Sequence, residues 1–81
     1  MGASGIEQSI LQMAAERGAD KTICPTEVAR ALFPADWRKH MDEIRTAAFK
    51  LQTEHKVQVT QKGEPVTEVG LKGPIRIKIK P

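Results

Sequence analysis

Apolar residues recur at helical intervals in three stretches between Ile6 and Leu51, and the pattern then changes to strict alternation. Ile6, Ile10, Met13 and Ala14 share one face of a predicted first helix, "SGIEQSILQMAAERG". Ser4 and Glu7 have the spacing of a capping box at its start. Gly18 suits its C-terminal cap, where a left-handed residue is wanted. "KTICP" reads as a short extended piece, because Thr22 and Ile23 favour strands. "PTEVARALF" predicts a second helix, with Val28, Ala29, Leu32 and Phe33 as its buried edge and Glu27 and Arg30 facing out. Pro25 fits its first turn and Pro34 stops it. Trp37, Met41, Ile44, Ala48 and Leu51 fall at alternating steps of four and three. They predict a third amphipathic helix over 36–56, with Asp36 as its N-cap.

After Lys56 the period is two. Val57 and Val59 alternate with Gln58 and Thr60, and Ile75, Ile77 and Ile79 alternate with Arg76, Lys78 and Lys80. "QKGEP" is a turn signal. Residues 62–74 hold Gly63, Pro65, Gly70, Gly73 and Pro74, so they read as a long loop with a short extension around Val66 and Thr67. The fold class is therefore α+β, with three helices packed on a small antiparallel β-hairpin sheet. Two helices joined by a tight corner and followed by a hairpin make a winged helix-turn-helix. The piece at 21–24 would pair with the hairpin edge, and the loop would be the wing. Residues 1–5 read as a flexible lead-in and 6–81 as one domain.

The stretches "TICPTEVARAL", "DWRKHM", "IRTAAFKL", "VTQKGEPV" and "KGPIRIK" together resemble a bacterial family of small domains of unknown function. The resemblance runs over roughly residues 6 to 80. It implies a winged-helix fold and no established activity, and a fold does not fix a function. One departure is visible. Winged helices often carry a glycine where the third helix meets the strand. Here "HKV" stands at that place, so His55 or Lys56 must make the turn.

Composition narrows the function. The 81 residues fit a single domain, and no apolar run is long enough to span a membrane. The N-terminus lacks the apolar core of a signal peptide. Cys24 is the only cysteine, so no intrachain disulfide forms, which suits a cytoplasmic location. A buried structural thiol is the plain reading of Cys24, and a reactive thiol at a helix start is the sharper one. Cys24, His40 and His55 do not have zinc-ligand spacing, and there is no glycine-rich phosphate loop. The acids form no pair suited to acid–base work. These absences argue against an enzyme, a metal or a cofactor.

The formal net charge is +3, and the surplus lies in residues 57–81, where Lys62, Lys72, Arg76, Lys78 and Lys80 face only Glu64 and Glu68. A basic hairpin of this kind suits phosphate contacts that weaken as salt rises, although lysines also protect edge strands from aggregation. Arg76 also has Glu68 as a prospective partner. On the third helix, Arg38 and Lys39 lie at the end that reads bases in helix-turn-helix proteins, with Arg45 and Thr46 a turn further on. Asp42 and Glu43 are spaced to pair with Arg38, Arg45 and Lys39, which would make a solvated, self-neutralised face. Trp37 heads the apolar stripe and reads as core in preference to a base-stacking ring. Phe49 lies just off the stripe, either beneath the wing or as an exposed partner-binding spot. The first expectation is a duplex-DNA-binding domain using Arg38, Lys39, Arg45, Thr46, Lys62, Lys72, Arg76 and Lys78. The alternative is a protein–protein interaction module, suggested by the nearly balanced third helix and the acidic first third.

Overall fold

The computed structural model describes residues 5–67 and 73–80. Helix α1 (Gly5–Arg17) buries Ile10 and Ala14 completely, with Ile6 and Met13 packed at the margin of the core. Ser4, the expected cap partner of Glu7, lies outside the described residues. Gly18 ends the helix at φ 112, and its amide donates to the Ala14 carbonyl at 3.3 Å. The chain then extends, and Ile23 exchanges two backbone hydrogen bonds with Ile77 at 2.8 and 2.7 Å. The short piece at 21–24 therefore pairs with the hairpin, as its sequence predicts.

Helix α2 (Pro25–Leu32) starts from Cys24, which is extended at φ −104 and ψ 154. The Glu27 carboxylate reaches back to accept the Cys24 amide at 3.3 Å, so one orphan donor at the helix start is satisfied. The next proline disfavours helix at Phe33, and α2 stops at Leu32.

The third helix differs from its expected form at both ends. Residues Trp37–His40 wind as a 3₁₀ turn, and α3 runs only over Met41–Thr53. Asp36 does not cap through its side chain. Its carbonyl instead accepts the Lys39 amide at 3.0 Å, an i→i+3 bond of the tighter winding. That winding lays Trp37 against α2, half-buried with Met41 at the core margin, while Ile44, Ala48 and Leu51 are fully enclosed. The helix stops before Lys56 because His55 takes the left-handed conformation at φ 63. The His55 amide donates to the Gln52 carbonyl and the Lys56 amide to the Leu51 carbonyl, both at 2.9 Å. This pair of bonds is a Schellman motif with histidine where glycine is usual.

Strands β1 (Val57–Gln61), β2 (Glu64–Pro65) and β3 (Arg76–Ile79) form an antiparallel sheet in the order β2-β1-β3. Lys62 at φ 55 and Gly63 at φ 83 make a two-residue turn of type I′, whose twist matches that of the strands. The ladder continues past β2, since the Val66 amide donates to the Val59 carbonyl at 3.0 Å. The stretch read as loop from residue 62 thus opens as a hairpin arm, and its extension begins at Glu64, ahead of Val66. Ile77 lies between Val59 on β1 and Ile23, so the sheet reaches back to the corner before α2. The helices cover one face of this sheet, and the core comprises Ile10, Ile23, Val28, Ile44, Leu51, Val57, Val59, Ile75 and Ile77. The molecule is α+β, three helices on a three-stranded antiparallel sheet, and its order is consistent with the winged helix-turn-helix arrangement.

Candidate nucleic-acid interface

Arg38 and Lys39 lie exposed on the 3₁₀ turn. The Arg38 guanidinium stacks over the Trp37 ring at 4.4 Å, and Arg30 from α2 lies over the same ring at 4.8 Å. The expected ion pairs of this segment do not form among the described residues. The tighter winding changes the spacing of Arg38 and Lys39 to α3, His40 takes Glu43 and Asp36, and Arg45 bonds elsewhere, which leaves Asp42 in no ion pair among the described residues. The His40 ring stacks on Phe33 at a centroid distance of 3.6 Å, with one nitrogen 2.8 Å from Glu43 and the other 3.6 Å from Asp36. The self-neutralised face of Arg38, Asp42 and Arg45 is therefore absent.

Arg45 turns toward the wing, donating to the Gly73 carbonyl at 3.0 Å. One helical row further on, Gln52 ties down the start of the wing. Its carboxamide nitrogen donates to the Val66 carbonyl at 2.8 Å, and its oxygen accepts the Val59 amide at 2.6 Å. Gln61 adds a bond to the Pro74 carbonyl at 3.1 Å. Both ends of the wing are thus anchored to α3 or β1. Phe49 lies inward at 6% exposure, so it packs under the wing side of α3 and offers no exposed contact spot.

Thr46 is exposed on the outer face of α3, beside Asp42, Glu43 and Lys50. Lys50 pairs at 3.2 Å with Glu7 of α1, whose side chain is buried at 8% exposure. Two carboxylates in the first turn suit the positive end of the helix dipole. They also make the outer face of α3 acidic, which opposes an approaching phosphate.

Lys62 occupies the exposed tip of the β1–β2 turn. Arg76 is engaged, donating to the Thr22 hydroxyl at 2.9 Å and the Thr22 carbonyl at 3.4 Å. Arg17 shares that carbonyl at 3.1 Å and pairs with Glu27, so Arg76 joins a network around the start of α2. Lys78 lies across from Gln58, on the sheet face away from Ile77. Lys72 and Glu68 lie outside the described residues, so the expected Lys72 contact and the Arg76–Glu68 pair fall there too. The structure brings Arg38 and Lys39 together at the corner and places Arg45 where α3 meets the wing. Lys62 stands at the tip of the β1–β2 turn, while Arg76 and Lys78 both lie on β3.

Sequence reasoning passed over Arg30 and Gln52. Arg30 had a signal, since it faces out on α2 within reach of the corner where Trp37 begins. Gln52 had none, because a polar residue beside an apolar stripe looks the same whether it meets water or a neighbouring strand. Among the described residues, no group of three His, Cys, Asp or Glu is arranged to hold a metal, and no helix is long and apolar enough to cross a membrane.

A small α+β domain whose third helix and hairpin are bound together in this way defines a class, and comparison supplies the family. The model of the family described as "Protein of unknown function (DUF3253)" matches residues 3–80. The chain belongs to that family. No curated protein matches it.

Proposed function

We propose that this domain binds duplex DNA through the phosphate backbone, with the corner at the start of the third helix and the hairpin acting together. The observation that carries this reading is Lys62. It stands at the hairpin tip in a left-handed conformation that costs a lysine roughly 1–2 kcal/mol. Asparagine or glycine would hold such a turn at less cost, and a strained lysine at an exposed tip points to use of its charge. Arg38 and Lys39 supply further cations at the corner, with Lys78 on the sheet, Arg45 beside the wing and Lys72 in it. Asp42 and Glu43 hold the outer face of α3 back from the bases. Positioning contacts to phosphate therefore dominate over base readout, and sequence preference is weak. A lone free cysteine is compatible with a reducing, cytoplasmic setting. Nothing in this reading calls for catalysis.

Anisotropy of a labelled mixed-sequence duplex tests it. Binding at low salt should weaken as salt rises, with a log–log slope of about −5 if each of these six cations neutralises a phosphate. No binding at low salt would overturn the reading.

A second reading is favoured by the acidic outer face of α3. There Asp42 and Glu43 flank Ile6 and Ala47 in a surface groove between α1 and α3. That combination suits a basic, amphipathic protein segment. Retention by the protein of a basic peptide, lost in Asp42→Asn with Glu43→Gln, would favour this alternative.

A further inference from the structure

The five arginines are used in two different ways. Arg17, Arg45 and Arg76 direct N–H groups to acceptors of the protein itself, namely Glu27, Thr22 and Gly73. Arg30 and Arg38 do not. Each lays its guanidinium over the Trp37 ring, at 4.8 and 4.4 Å, and among the described residues neither donates to any acceptor. A guanidinium lying over a ring is attracted through its charge and gives up no N–H donor to a carbonyl or carboxylate. Its N–H donors lie in its plane and remain available. The indole therefore gathers two cations that would otherwise repel, limits their motion, and leaves their hydrogen-bonding edges free. Lys39 stands beside them, lining with Trp37 and Arg38 a cleft at the same corner. The nearest carboxylate of that cleft, Asp36, is drawn toward His40.

We propose that Arg30 and Arg38, gathered by Trp37, form a clamp for two neighbouring backbone phosphates of nucleic acid at the α2–α3 corner, one to each arginine. The assignment rests on the DNA-binding reading and deepens it by adding Arg30 of the second helix and a positioning role for Trp37. A planar fork suits phosphate because two parallel N–H groups match two of its oxygens. Trp37 itself holds the forks and does not stack on a base, since both cations already occupy its ring.

Trp37 is the only tryptophan, so its emission reports on this corner alone. Full-length protein is titrated with the mixed-sequence duplex, with Trp37 fluorescence and duplex anisotropy followed together. Bound duplex should change the Trp37 emission. Arg30→Gln and Arg38→Gln should each weaken binding by about three- to tenfold and reduce the magnitude of the salt slope by about 0.9, the loss of one phosphate contact. Arg38→Lys should retain the slope but bind less tightly, because charge stays and the fork is lost. Melting curves establish that each variant is folded. Duplex binding that leaves Trp37 emission and both glutamine variants unaffected overturns the clamp and spares the DNA-binding reading. No duplex binding by the wild type at low salt overturns both. Polyglutamate that competes as well as duplex and shifts the emission equally would assign the corner to an acidic protein and overturn the phosphate clamp.

Discussion

Lys62 and His55 are the two non-glycine residues with positive φ among those described, and both sit where a helix or strand must reverse. A left-handed backbone costs an ordinary side chain roughly 1–2 kcal/mol, and asparagine less, because its short amide can bond locally. Lys62→Asn should therefore raise stability by about 0.5–1 kcal/mol, measured as a higher urea midpoint at unchanged slope, while lowering duplex affinity. Movement of both quantities in the same direction would separate the conformational argument from the functional one. His55→Gly should also stabilise, by up to about 1 kcal/mol after the flexibility of glycine in the unfolded chain is allowed for. Thermal melts of the two proteins provide the comparison. A turn at His55 or Lys56 was legible in the sequence because a helical period ends and a strand period begins at "HKV", and the structure assigns it to His55. The turn at 62–63 was legible from "QKGEP". That Lys62 itself would be left-handed was not, since lysine has no preference that announces it.

At the scale of elements, the third helix shows where periodicity misleads. The apolar steps from Trp37 to Leu51 fit one helix, yet the first four residues wind as a 3₁₀ turn because Trp37 must also lie against α2. A hydrophobic period specifies which side is buried and is indifferent to a small change in winding. The salt bridges inferred across that junction failed for the same reason, whereas the buried positions Ile44, Ala48 and Leu51 agree with the pattern. The wing is held by Gln52, whose two hydrogen bonds join α3, β1 and the strand extension. Gln52→Ala leaves the part-buried Val59 amide without its acceptor and should cost about 1–3 kcal/mol. Hydrogen exchange at Val59 should accelerate more than at Ile77, which keeps its partners. The acidic face of α3 has its own test. If the duplex passes close to it, Asp42→Asn with Glu43→Gln should tighten binding at low salt and leave the melting temperature little changed.

Across the whole molecule, the sheet ties the segment before α2 to the last strand. Ile77 is fully buried and bonded through its backbone to Ile23, with Val59 as its neighbour on β1. Ile77→Ala should cost about 2–5 kcal/mol by opening a cavity at this junction, a large share of a small domain's stability. Urea unfolding of the variant should show a sharply lowered midpoint. The α+β class and the pairing of the 21–24 piece were legible because the change from helical to alternating period is abrupt. The placement of side chains on the surface was less so, since Arg38, Arg45 and Arg76 look alike in sequence and only packing decides that one stacks, one ties the wing and one braces α2. The Ile23–Ile77 bridge also bears on the order of events during synthesis. The three helices and the first hairpin leave the ribosome before β3, and until β3 arrives they lack the strand that Ile23 must pair with and the side chains of Ile75 and Ile77 that complete their core. Growing chains stopped after residue 67 should therefore be cleaved readily by protease, and chains that expose residues 75–79 outside the exit tunnel should resist it.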